Sequence, residues 1–82
     1  IMMYAIINIE KCREIGIDST HRMTHDNDVV ITDKELRFSS AVGDTLEEKV
    51  ANTNAILATS EQVDMWDAAY KCGKNGKEVL NG

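Results

Sequence analysis

The sequence predicts a small α+β domain: an N-terminal β-sheet of three to four strands, with a hairpin near residues 26–28, packed against two C-terminal helices. Three observations carry this. Residues 2–8, Met-Met-Tyr-Ala-Ile-Ile-Asn, are an apolar, partly β-branched run, which reads as a buried strand. Val29, Val30 and Ile31 form a second β-branched run directly after Asp26-Asn27-Asp28, a turn signal because Asn and Asp tolerate positive φ. From residue 44 onward the apolar positions recur at helical spacing instead.

Taken in order, Asn8 is a candidate helix cap and Glu10 suits a first turn. Ile9, Cys12 and Ile15 share one helical stripe, and Gly16 followed by Ile17 supplies a left-handed stop. Residues 9–15 are therefore expected to form a short helix. His21, Met23 and His25 alternate with Arg22 and Thr24, as in a short strand that pairs with 29–31 through the 26–28 turn. Residues 32–39 carry two signals. Thr32-Asp-Lys-Glu35 matches a capping box, whereas Leu36-Arg37-Phe38-Ser39 alternates like a strand; a turn followed by a strand is the favoured reading. Asp44 is expected to cap a helix whose stripe holds Leu46, Val50 and Leu57. Ser60 is expected to cap a second, carrying Val63, Trp66 and Tyr70 and stopped by Gly73. Asn75-Gly76 reads as a turn, with an edge strand or frayed tail over 77–80.

Composition narrows the function classes. The 82 residues fit one domain, 1–82, whose short chain leaves a thin core. Ile1 is not a usual initiator, so Met2 or Met3 is the candidate start, or the chain continues a longer one. Nine basic against 14 acidic residues give a net charge of -5, which disfavours nucleic acid, whose recognition needs clustered Lys and Arg. Lys71, Lys74 and Lys77 form the one basic cluster, and cations there suit a helix C-terminus. Two cysteines are few for a secreted domain of this size. No run is apolar enough for a membrane span or a signal peptide. A cytoplasmic protein without membrane contact is the expectation.

No segment carries a motif that names a reaction. His21 and His25 on a strand lie roughly 13 Å apart at about 3.3 Å per residue, too far for one zinc with bonds of about 2 Å. Cys12, Asp26, Asp28 and Cys72 are the other residues of ligating type. A calcium loop counted from Asp26 would put Ile31 at its sixth position and Arg37 at its twelfth, where glycine and glutamate are needed. Cys12 with a histidine and an aspartate can be written as a nucleophile set, but Cys12 falls on the apolar stripe of its helix, as a buried thiol does. Cys72 beside Lys71 and Lys74 is expected to be covered at a helix end. Glu47, Glu48, Glu61, Asp64 and Asp67 read as first-turn and solvent-face charges. No metal, cofactor or catalytic residue is assigned.

The best expectation is a non-enzymatic module that binds a protein partner or self-associates, a homodimer being one form. Val63, Met65, Trp66 and Tyr70 are its candidate interface, because surface aromatics carry most contact energy. Packing of Trp66 and Tyr70 in the core is the competing reading of the aromatic pair. The alternative function is a small metal-dependent or cysteine-based enzyme domain using Cys12, the histidines and the Asp cluster.

Overall fold

A computed structural model describes residues 2–81. Strand β1, Tyr4–Asn8, runs straight into helix α1, Ile9–Glu14. Asn8 makes that junction, its side chain accepting from the backbone N–H groups of Glu10 and Lys11 at 2.9 and 3.1 Å. Gly16, at φ +84°, ends α1: its N–H donates to the Arg13 carbonyl and that of Ile17 to Cys12. This paired closure is the one expected of glycine at a helix stop. Strands β2, Thr24–His25, and β3, Asp28–Thr32, form the anticipated hairpin, with Asp26 at φ 55°. Helix α2 spans Asp33–Arg37 and α3 Leu46–Thr53. Strand β4, Ile56–Ala58, leads to helix α4, Ser60–Lys71, and helix α5, Gly76–Asn81.

The four strands are antiparallel, in the order β2-β3-β1-β4. β1 is central, with Tyr4 opposite Thr32 on one side and Ala58 on the other. Its apolar run is explained by cover on both faces. Ala5 and Ile7 join Val29, Ile31, Cys12, Ile15 and Leu36 on one side, against α1, α2 and α3. Ile6 faces the other way, with Ala58, Val63 and Trp66, under α4 and α5. The small sheet is thus packed with helices as expected, with α4 and α5 on one face and α1, α2 and α3 on the other.

Four local expectations are corrected. Residues 33–37 are a helix, not a turn and strand. Thr32 accepts from the Glu35 N–H while the Glu35 carboxylate accepts from the Thr32 N–H, and the turn this closes aims Leu36 into the core, fully buried. Leu57 is not on a helical stripe: Asn54, at φ 56°, ends α3 in the left-handed region that asparagine tolerates, and Ile56–Ala58 pair with β1. The helix caps fall one residue from those expected, on Thr45 rather than Asp44 and on Thr59 rather than Ser60. In each the hydroxyl accepts from the N–H three residues on, of Glu48 and Gln62. Residues 76–81 are helix α5, whose first turn is capped by the Asn75 side chain accepting from Lys77 and Glu78.

Two polar ties hold the layers in place. Lys49 is buried, and its ammonium donates to the carbonyls of Arg37 and Ser39 at 2.9 and 2.7 Å. It thereby satisfies acceptors at and beyond the end of α2, which a helix leaves unpaired. Arg22 grips Glu35 through two parallel contacts, one of 2.9 Å, and this hydrogen-bonded guanidinium holds the Glu35 carboxyl below its ordinary range.

Candidate interaction surface

Helix α4 spends one apolar face on the fold and carries a narrow line of Met65, Ala68 and Cys72 among charged residues on its outer side. The inner face carries Val63, Trp66 and Ala69, all buried. Trp66 is 3% exposed and rests on Ile6 and Ala58. His25, from β2, lies over this face. Its ring is parallel to that of Tyr70, with centroids 4.0 Å apart and planes 7° from each other, and tilted against Trp66 at 4.6 Å. His25 Nε2 meets Asp67 Oδ1 at 2.6 Å, and Lys71 Nζ meets the other carboxylate oxygen at 2.9 Å. Lys71 first, then His25, draw the Asp67 carboxyl below the usual carboxylate range.

Helix α5 closes against the same tryptophan. A Cβ added at Gly76 would lie under 3.0 Å from three atoms of the Trp66 indole, so only glycine permits the approach. Lys77 ties α5 to the start of β3 through Asp28 at 2.9 Å. The basic cluster is accordingly divided: Lys71 and Lys77 hold carboxylates of the fold, while Lys74 borders the outer surface.

The outer face of α4 has no such cover. Glu61, Asp64, Met65, Ala68, Lys71 and Cys72 are all exposed. Met65, Ala68, Ala69 and Cys72 from α4, with Lys74 and Val79, line a shallow groove of about 290 Å³ between α4 and α5. Met65 is half exposed at its rim, and Val79 is exposed on the α5 side. Cys72 is exposed, not covered as expected for a helix end.

The four expected interface residues are therefore separated. Val63 and Trp66 lie inside the domain, Tyr70 stands at its edge 42% exposed against His25, and Met65 belongs to the groove. Ala68, Cys72 and Val79 were not among the interface residues expected from the sequence. The signal for the first two was present: Glu61, Met65, Ala68 and Cys72 recur at intervals of four, three and four, the seam spacing of a helix that meets another helix.

The other sequence candidates fall apart in space. His21 sits in a turn at φ 59°, while His25 is engaged by Asp67. Among the described residues no three His, Cys, Asp or Glu side chains converge to hold a metal ion. Cys12 is fully buried, and burial raises its thiol pKa, the reverse of what a nucleophile needs. A second cleft, of about 540 Å³, is floored by Ile15 and Ile17 and edged by Arg22, Glu35 and Phe38. Arg22 and Glu35 are spent on each other, and the Asp18 carboxylate accepts from the N–H and hydroxyl of Thr20. Phe38, 80% exposed, stands at its edge with the Arg37 guanidinium 5.7 Å from its ring.

No helix of the described chain is long and apolar enough to cross a membrane. The chain matches no protein-family model, and neither a curated protein nor a solved structure matches it.

Proposed function

We propose that this domain is a non-enzymatic protein-binding or assembly module, and that the outer face of α4, with the α4–α5 groove, is where it makes contact. One observation carries the reading. Helix α4 is already anchored by Val63, Trp66 and Ala69, yet it presents Met65, Ala68 and Cys72 to solvent in a second line at helix-pairing spacing. An apolar strip beyond what the fold uses is the mark of a contact surface. Its polar borders, Glu61 and Asp64 at one end and Lys71 and Lys74 at the other, match the charged rim around such a strip.

A photo-crosslinking amino acid placed at Met65, in cells that make the protein, tests the reading. Discrete covalent adducts are expected from position 65. None is expected from Glu47, which is exposed on α3 across the sheet. Equal labelling from both positions, or no adduct from 65, would contradict it.

A further inference from the structure

We propose that the occupant of this surface is a second copy of the same chain, with the two α4 helices packed antiparallel about a two-fold axis passing near Ala68. This rests on the reading above and adds the partner and the register.

The charge order along α4 is the first argument. Its exposed side begins acidic, with Glu61 and Asp64, and ends basic, with Lys71 and Lys74 beyond the helix stop. A parallel pairing would set like charges side by side. An antiparallel pairing centred on Ala68 sets Asp64, four residues before the centre, against Lys71 of the other copy, three residues after it, an exposed ammonium that also holds Asp67 of its own helix at 2.9 Å. At about 1.5 Å of rise per residue, the two lie level to about one residue. Glu61, in the first turn of the helix, comes beside the other copy's helix stop, just past which lies Lys74. The same arrangement brings each helix N-terminus beside the other's C-terminus, where the helix dipoles attract. The chain as a whole carries -5, so two copies repel unless the contact is locally complementary, as this one is.

Shape agrees with charge. Ala68 is the exposed residue at the centre of the strip, and a methyl group there lets two helices approach to about 8–10 Å. Met65 then lies over Cys72 of the other copy and enters its groove beside Val79. An unbranched thioether adapts well to such an irregular gap. A two-fold axis uses one patch twice, so each copy supplies both the methionine and its groove. With a helix only about 18 Å long, the contact falls in the small class of interfaces and the dimer is a weak, concentration-dependent one.

Sedimentation equilibrium on the full 82-residue chain is expected to show reversible dimerisation. Reversing one end, Glu61→Lys, weakens it by about tenfold, and adding Lys74→Glu restores it to within about threefold; Lys71 is left in place because it holds Asp67 of its own helix. Trp66 emission reports that each variant is folded. In a Cys72→Ser background, Ala68→Cys is expected to oxidise to a covalent dimer, since residues on the axis come within disulfide reach. Glu61→Cys is not, because its two copies stand about 21 Å apart along the pair. A wild type that remains monomeric at millimolar concentration overturns the proposal, as does a charge reversal without effect or a disulfide at 61 in place of 68. Should this fail while the Met65 crosslinker captures chains of another mass, only the second copy is lost. Failure of both removes the contact surface itself.

Discussion

Trp66→Ala should destabilise the domain by about 3–5 kcal/mol, the range for removing a large aromatic from a core. The indole is 3% exposed and packs on Ile6, Ala58 and Val63, with Tyr4, Val30 and Leu80 around it. It also supports two short elements, β2 and α5. The His25 ring lies 4.6 Å away, so the short β2 leans on it. Gly76 touches the indole directly, so α5 depends on it too. A cavity at 66 is lined from several sides and does not close by the movement of one side chain. At about 0.05–0.15 kcal/mol per residue, an 82-residue domain has about 4–12 kcal/mol in all. The loss therefore takes a large share of it. Urea unfolding of the wild type and the variant measures the difference. A change under about 1 kcal/mol would mean that Trp66 is a surface residue after all.

Leu36→Ala should cost about 2–5 kcal/mol. The leucine is fully buried among Ile7, Val29, Ile31 and Cys12, where the sheet meets α1 and α2. Alanine is the best helix former, so the substitution carries no penalty in local propensity, and the whole loss is that of core packing. Thr32→Ala separates the local contribution. It removes the hydroxyl that accepts the Glu35 N–H at 3.1 Å and should cost about 1 kcal/mol, as cap removal does. A strand over 32–39 would also lose stability on Thr32→Ala, through a weaker β preference, but loss of the Leu36 side chain at an alternating edge would cost little, so Leu36→Ala is the substitution that separates the two. The same denaturation measurement distinguishes the two patterns.

These two residues also show how far the sequence could be read. The elements set by neighbouring residues were legible. The β1 run, the Asn8 cap, the glycine closures at 16 and 73 and the 26–28 hairpin all follow from side chains within a few positions of one another. Elements set by distant contacts were not. Residues 33–37 carry helix and strand signals of similar weight, and the choice falls to Leu36 entering the core and Glu35 meeting Arg22, 13 residues away. Strand β4 has three residues and exists as a strand through its pairing with Tyr4–Ile6. Gly76 resembles a turn glycine in sequence. Its role, allowing α5 against Trp66, belongs to the tertiary structure.

The site was half legible for a related reason. Helical periodicity identified α4 and its aromatic line, but it does not say which apolar line faces inward. That is decided by the sheet face beneath, where Ile6 and Ala58 take Val63 and Trp66. What remains outside is Met65, Ala68 and Cys72, smaller and less conspicuous than the aromatics. Contact energy at such a face comes from fit and charge order, which single residues do not display.

That division of α4 into an inner and an outer face is the claim on which the functional reading stands, and amide chemical shifts followed on dilution of the wild-type protein test it most directly. The account predicts shifts that move with concentration at Glu61, Met65, Ala68, Cys72 and Val79, while Val63 and Trp66 stay fixed. Spectra unchanged from millimolar to micromolar protein, or changes centred on Phe38 and Val42 instead, would contradict it.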